Sequence, residues 1–154
     1  MKAKIQKLKK ELHKALSLSD DPDILEKYAV DETSDLKGNP WLVVYAKNTQ
    51  DVSLVLSLCD TYRIPVIPRG AGTGVTGGAV PVAGGVVLSL EKMNKILQID
   101  TENMIAVCQP GVITGQLQKE ALQYNLMYPP DPASLDSCSL GGNVAEGAGG
   151  PRAV

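Results

Sequence analysis

PVIPRGAGTGVTGG, residues 65–78, leads from a short apolar run into a loop rich in glycine: Gly70, Gly72, Gly74, Gly77 and Gly78. Glycine loses more backbone entropy on folding than other residues, so such clustering needs a structural reason. Successive main-chain N–H groups can form a concave anion nest, and the missing side chains let phosphate oxygens approach closely. Neighbouring threonines would add hydroxyl donors, and Arg69 would add positive charge. The stretch therefore predicts a diphosphate-binding loop that follows a strand.

Part of this loop also matches a dinucleotide-binding pattern. Gly72, Gly74 and Gly77 satisfy G-x-G-x-x-G, but in dinucleotide-binding domains a helix begins within that motif. Here the loop continues into strand-like residues without helical periodicity, and the Gly-Lys-Ser/Thr of a Walker loop is absent from the sequence. We therefore expect diphosphate binding without either of those two folds.

A second segment, residues 129–150, reads PPDPASLDSCSLGGNVAEGAGG. Its prolines fix an extended backbone. The SLGGN stretch then offers main-chain groups and a small hydroxyl to a flat or polyanionic ligand. Ordinary tight turns or a disordered tail are the alternative interpretation. Two such segments in one chain favour a common binding site.

A strand, a helix and another strand precede the first loop. Residues 41–46 (WLVVYA) and 65–68 (PVIP) have strand character, and between them Thr49 is expected to cap a helix. The apolar face of that helix is predicted to contain Val52, Val55, Leu56 and Cys59. This order predicts a small parallel βαβ unit.

Strands with short turns are predicted after the loop, at residues 85–90, 96–100 and 104–109, before a helix from Thr114 to about residue 125. The predicted fold class is therefore α+β: a small βαβ subdomain followed by part of a second, mixed or antiparallel sheet. We expect a domain over residues 31–154.

Residues 1–30 are expected to form an N-terminal helical segment. Its first helix, over residues 1–17, has an apolar stripe of Ile5, Leu8, Leu12 and Leu16. Asp21 and Pro22 would cap and open a second helix through Tyr28. The lysines of the first helix are interpreted as a solvated face, with attachment to a membrane surface as the alternative.

Composition excludes several classes of function. Hydrophobic residues make up 44% and charged residues 21% of the 154 residues, which is typical of a soluble globular protein. The net charge of −2 argues against a nucleic-acid partner, and no apolar run is long enough for a transmembrane segment. Three widely spaced cysteines and one histidine predict neither a disulfide framework nor a metal site. We expect a cytoplasmic protein, with peripheral membrane association in a complex as the alternative.

Several stretches together resemble a known family. They are PRGAGTG (68–74), the strand 84–90 with MNKI (93–96), QPGV (109–112), PDPAS (130–134) and GGNVAE (141–146). The chain resembles the PCMH-type FAD-binding domain of the vanillyl-alcohol oxidase superfamily. Within it, the resemblance is closest to the FAD-linked D-2-hydroxyacid dehydrogenases, such as glycolate oxidase D subunits and D-lactate and D-2-hydroxyglutarate dehydrogenases.

The resemblance implies a cofactor, FAD, and a set of residues that bind it. Residues 69–74 would surround the diphosphate, and the second segment would line the flavin and its sugar chain. Some relatives attach FAD through a histidine near the position of Thr73, whereas the single histidine here is His13, so FAD is expected to be non-covalent. Gly147 departs from the family, which commonly has asparagine there. The expected cofactor-binding residues are Pro68, Arg69, Gly70, Ala71, Gly72, Thr73, Gly74, Gly77, Gly78, Pro130, Asp131, Pro132, Ser134, Cys138, Ser139, Gly141, Gly142, Asn143, Glu146 and Gly149.

No catalytic residue is predicted within the chain. Asp131 and Glu146 are interpreted as backbone or cofactor contacts, and Cys138 as a packing residue. Relatives are several-fold longer, so the chain is expected to be the FAD-binding portion of an enzyme that oxidises a D-2-hydroxyacid to a 2-oxoacid and passes electrons to an acceptor partner or subunit. The alternatives are a non-catalytic flavin- or partner-binding module and another PCMH-type flavoenzyme.

Overall fold

The first sheet contains four strands. The computed structural model describes residues 2–152, so Met1 and the last two residues of the predicted domain lie outside it. The strands are β1 (Ser17–Ser19), β2 (Leu42–Tyr45), β3 (Val66–Arg69) and β4 (Val86–Ser89). Their order is β1-β2-β4-β3, with β1 antiparallel to β2 and the other neighbours parallel. The runs LVVY and VVLS are β-branched and apolar, as strands buried on both faces require.

The position of β4 differs from the sequence-based expectation. We expected residues 85–90 in the second, hairpin-rich part, but β4 lies between β2 and β3, and all four of its residues are buried. The two predicted strands of the βαβ unit are therefore parallel without being neighbours. An apolar run specifies burial but does not specify which strands it pairs with.

Two helices pack against one face of this sheet. They are α1 (Lys2–Leu12) and α3 (Thr49–Tyr62). The core that they form with the sheet contains Leu8, Leu12, Leu16, Leu42, Val44, Ala46, Val55, Cys59, Ile64, Val86, Leu88 and Met93. The apolar stripe of α1 is thus used in packing within the protein. The helix ends at Leu12 rather than near residue 17, although Leu16 is still buried.

The other helix predictions in this half are confirmed in part. Asp21 caps α2 (Pro22–Tyr28), accepting hydrogen bonds from the N–H groups of residues 23 and 24. For α3 the N-cap is Asn48 rather than Thr49. Cys59 is a core residue, and burial raises the pKa of its thiol to about 11. Leu56, predicted to be buried, is 49% exposed because the buried stripe of α3 is narrower than its apolar pattern.

The second sheet is a hairpin of β5 (Ile96–Asp100) and β6 (Ile105–Cys108), which are antiparallel. It is followed by α4 (Thr114–Leu122) and by α5 (Leu140–Glu146), a helix that we did not predict. Among residues 2–152, no helix is long and apolar enough to cross a membrane. The domain boundary after residue 30 stays a prediction, and β1 of that segment pairs with β2.

Two leucines provide a test of this packing. Leu12→Ala should lower the free energy of unfolding by about 2–5 kcal/mol, because it removes a fully buried side chain from the core. Leu56→Ala, on the half-exposed surface of α3, should change it by less than ~0.5 kcal/mol. Urea denaturation of both variants measures the difference, and equal losses would contradict the packing described here.

Candidate functional site

A cavity of about 450 Å³ lies between the two glycine-rich segments. We call residues 69–78 the first glycine loop and residues 129–150 the second glycine segment. The cavity is at the carboxyl end of β3, since Arg69 is both the last residue of that strand and the first of the loop. Ligands of open α/β sheets commonly bind beyond the carboxyl ends of the strands. The volume of the cavity is in the range of small-molecule and cofactor sites.

Most of the residues expected to bind the cofactor line this cavity. They are Pro68, Arg69, Gly70, Ala71, Gly72, Thr73, Gly74, Gly78, Ser134, Cys138, Ser139, Gly141, Gly142, Asn143 and Glu146. The structure thus brings together two segments that are about 60 residues apart in the sequence. Their roles in binding stay predictions.

Five expected residues do not line this cavity: Gly77, Pro130, Asp131, Pro132 and Gly149. They have contacts with the protein instead. Gly77 has φ +74°, and a Cβ there would meet the side chain of Leu36 at 2.5 Å. The N–H of Asp131 donates to the Gly149 carbonyl at 2.7 Å, and its carboxylate pairs with Arg152 at 3.1 Å.

Six other lining residues were not among the expected cofactor-binding residues: Thr76, Ala79, Leu90, Pro110, Ala145 and Ala148. Thr76 was expected only to add a hydroxyl donor to the first glycine loop. Pro110 could have been included, because it lies in the QPGV stretch that carried the resemblance. The alanines and Leu90 have no chemical signature that would distinguish them from packing residues.

The local structure of the first glycine loop agrees with the rejection of a dinucleotide fold. Residues 70–85 contain no helix, and β4 begins at Val86. Gly72 has φ +76°, in the left-handed region that favours glycine. A Cβ at Gly72 would overlap the guanidinium of Arg69. The loop thus needs glycine at this position for both its backbone conformation and its packing.

Arg69 is held by the protein rather than projecting as a free charge. It is 9% exposed, and its Nη1 donates a hydrogen bond to the Val30 carbonyl at 2.6 Å. The guanidinium also lies 5.2 Å from the centroid of the Tyr28 ring, in a cation–π arrangement. Burial lowers the pKa of Arg69, and Tyr28, Asp31 and Glu91 oppose that shift. Arg69 therefore supports the loop from the protein side as well as lining the cavity.

The first glycine loop and helix α5 contact each other directly. A Cβ at Gly70 would overlap the hydroxyl of Ser139, which is the N-cap of α5, and a Cβ at Gly74 would overlap the carboxylate of Glu146 at the end of that helix. We expected these glycines to leave room for phosphate. The structure gives them a second purpose, which is to let the two segments approach each other.

A buried polar cluster fixes the start of α5 against α4. The hydroxyl of Thr114 accepts hydrogen bonds from Asn143 Nδ2 at 2.5 Å and from Cys138 Sγ at 3.3 Å. The N–H of Gly141 donates to the Pro110 carbonyl at 2.8 Å. The side chains of Thr114, Cys138 and Asn143 are fully or nearly buried, so their hydrogen bonds to one another replace hydrogen bonds to water. The wall of the cavity formed by the second glycine segment is therefore held by specific hydrogen bonds.

Gly147 ends helix α5. This residue is the C-cap in the left-handed conformation, φ +65°, and its N–H donates to the Asn143 carbonyl. Asparagine is the other residue that commonly occupies this conformation at helix ends. Glycine at 147 thus satisfies the backbone requirement of this left-handed C-cap.

The residues present fit the polar diphosphate and sugar part of FAD. The ionisable side chains that line the cavity are Arg69, Cys138 and Glu146. The other lining residues with polar groups include six glycines, which offer main-chain groups, the hydroxyl residues Thr73, Thr76, Ser134 and Ser139, and Asn143. Such a surface suits a diphosphate and sugar hydroxyls. Within residues 2–152, no group of three or more His, Cys, Asp or Glu is placed to hold a metal ion.

Comparison with known proteins gives relatives over nearly the whole chain. The D-lactate dehydrogenase of Anaerostipes hadrus is 44% identical over 151 residues, which is 97% of this chain and 31% of the relative. The glycolate oxidase subunit GlcD of Bacillus subtilis is 42% identical over 127 residues, 82% of this chain and 27% of the relative. The chain thus spans less than a third of the length of these relatives.

The fold has a solved counterpart in p-cresol methylhydroxylase with substrate bound. That structure matches with a TM-score of 0.76 and 29% identity, over 93% of this chain and 28% of the other. This match confirms the predicted PCMH-type α+β fold. A family profile described as an FAD binding domain matches residues 40–154, about three quarters of the sequence. The chain therefore belongs to the family of PCMH-type FAD-binding domains.

Proposed function

We propose that this chain is the FAD-binding portion of a flavin-dependent oxidoreductase that oxidises a D-2-hydroxyacid to the 2-oxoacid. The observation that supports this proposal most strongly is that both glycine-rich segments line one cavity. The high identity to a D-lactate dehydrogenase and a glycolate oxidase subunit supports the hydroxyacid class.

The residues of the chain bind and orient the cofactor in this proposal. Main-chain N–H groups of the first glycine loop hold the diphosphate, and Arg69 stabilises the loop beneath it. Ser139, Asn143 and the glycines of α5 form the opposite wall. Bound flavin supplies a hydride acceptor for the substrate carbon.

Binding is proposed to be non-covalent. Thr73 lies in the loop at the place where some relatives carry the linking histidine, and a threonine hydroxyl does not form that bond. His13, the only histidine, is exposed and does not line the cavity. Acid precipitation of the FAD-loaded protein should therefore release all flavin into the supernatant, and flavin retained in the pellet would contradict the proposal.

A chimera tests the proposed function most completely. This chain would replace the matching 151-residue region of the Anaerostipes hadrus D-lactate dehydrogenase. We expect a soluble chimera with a flavin spectrum that reduces a dye with D-lactate. A soluble but flavin-free chimera would contradict cofactor binding, and a flavin-loaded chimera that does not oxidise D-lactate would contradict the proposal that this chain presents its flavin to a D-2-hydroxyacid.

A second role, as a surface for further polypeptide, is supported by an apolar groove of about 440 Å³. It lies between the β5–β6 hairpin and helices α4 and α5, and the exposed apolar residues along it include Met104 (77%), Met127 (67%) and Val144 (76%). Patches of this kind mark interaction surfaces. We propose that polypeptide equivalent to the rest of the longer relatives packs here, because they carry more than two thirds of their length beyond the matched region.

The substitution Val144→Lys tests the groove as a packing surface without disturbing the fold of the isolated chain. The substitution should leave the melting temperature of the isolated chain within about 2 °C, since the side chain is exposed. In the chimera it should lower soluble yield or flavin content, because the lysine would be buried without a partner. An unaffected chimera would contradict this use of the groove.

A further inference from the structure

A segment outside the matched family region runs along the first glycine loop. Residues 28–38, which we call the clasp, precede the start of the family match at residue 40. The N–H of Glu32 donates to the Gly74 carbonyl at 3.1 Å. The N–H of Gly38 donates to the Ala29 carbonyl at 2.7 Å, which closes the clasp on itself. The clasp thus bonds to the backbone of the loop.

Arg69 is the second connection between the clasp and the loop. Its guanidinium donates to the carbonyl of Val30 and lies over the ring of Tyr28, both in the clasp. The same guanidinium occupies the space beside Gly72, where a Cβ would be. Tyr28, Arg69 and the left-handed turn at Gly72 therefore form one continuous stack.

Tyr28 is itself fixed from several directions. Its hydroxyl donates to Glu91 Oε1 at 3.2 Å, and its ring meets the Tyr45 ring edge-on, with centroids 6.2 Å apart. In the sheet, Tyr45 and Arg69 are both in register with Ser89 of β4, so they lie on one face at the carboxyl end of the strands. The stack is thereby anchored to the four-stranded sheet.

We propose that the clasp, through Tyr28 and the Glu32 N–H, is a positioning element that orders the first glycine loop before the cofactor binds. The ordering of the loop does not depend on the proposed function, but its expected consequence, tighter FAD binding, does. Neither Tyr28 nor Glu32 lines the cavity, so both act through Arg69 and Gly74. Glycine-rich loops lose much conformational entropy on ordering, and contacts that remove this cost in advance increase affinity.

Tyr28→Leu removes the ring beneath Arg69. We expect backbone amides of residues 70–78 to exchange hydrogen on the order of tenfold faster, and the dissociation constant for FAD to rise by a similar factor. Tyr28→Phe keeps the ring and should restore both values to near wild type. Tyr62→Leu is the matched control, because Tyr62, the last residue of α3, bonds to Glu11 of α1 and its loss should affect neither value.

Glu32→Pro tests the backbone bond without changing a packed side chain. Proline lacks the N–H that donates to Gly74, whereas Glu32→Ala retains it and serves as the control. Faster exchange in residues 70–78 with the proline but not the alanine supports the clasp. Equal exchange in both variants would overturn this connection.

Amide exchange in the absence of cofactor decides the inference independently of FAD binding. If loop exchange is unchanged by both Tyr28→Leu and Glu32→Pro, the inference is overturned even if FAD binds. If loop exchange accelerates while the amides of β2 stay protected, the clasp is supported. If wild-type protein with a clasp-ordered loop fails to bind FAD, the claim that this chain binds FAD by itself is overturned and the positioning of the loop stands.

Discussion

Gly72→Val is expected to weaken FAD binding by at least about a hundredfold. A valine at φ +76° adopts a backbone conformation that β-branched residues avoid. Its Cβ would also overlap the guanidinium of Arg69, which could move only by giving up its hydrogen bond to Val30 and its contact with Tyr28. Titration of the purified variant with FAD, followed by flavin fluorescence, measures the effect.

Gly147→Ala is the control for backbone strain alone. Gly147 also has a positive φ, +65°, but an added Cβ there would have no heavy atom within 4 Å, and the residue does not line the cavity. This variant should bind FAD within about threefold of wild type and lose ~1 kcal/mol of stability. Equal FAD affinity in Gly72→Val and wild type would contradict the placement of the loop at the cofactor.

The FAD-loaded chain by itself is expected to oxidise D-lactate or glycolate at least about 10²–10⁴-fold more slowly than a complete D-2-hydroxyacid dehydrogenase. Of the ionisable side chains that line the cavity, Arg69 is bound to Val30 and Cys138 donates to Thr114, which leaves the exposed Glu146 as the one carboxylate and no second cation to clamp the substrate. A positioned base and a carboxylate clamp account for much of the rate of such a reaction.

Anaerobic reduction of the bound flavin by substrate, with a coupled dye assay, measures this activity. The chimera with the D-lactate dehydrogenase serves as the positive control, because it contains the remaining two thirds of that enzyme. Dye reduction by the isolated chain at the rate of the chimera would contradict the expectation. It would also assign catalysis to residues of this chain.

Local chemistry made much of the fold predictable. The dipeptide Asp21-Pro22 specified the start of α2, since an N-cap carboxylate and a proline at the first helical position act within one turn. The apolar runs at β2 and β4 specified buried strands for the same reason. The first glycine loop was predictable because glycine clustering has few physical causes.

Features that depend on tertiary contacts were not predictable from the residues alone. The pairing of β4 between β2 and β3 is set by parallel register, which leaves no local signature. Helix α5 contains two glycines, Gly141 and Gly142, that disfavour a helix, and it forms because Ser139 caps it and Asn143 bonds to Thr114. The burial of Arg69 likewise depends on Tyr28, about 40 residues earlier in the sequence.

The visible spectrum of the purified chain with and without added FAD, paired with a melting curve, tests the central claim most directly. If the two glycine-rich segments form a cofactor site, the flavin spectrum should shift on mixing, and FAD at 100 times its dissociation constant should add about 2.7 kcal/mol of stability. A well-folded protein that leaves the flavin spectrum unchanged and whose melting temperature does not rise would contradict the claim that these segments suffice to bind FAD.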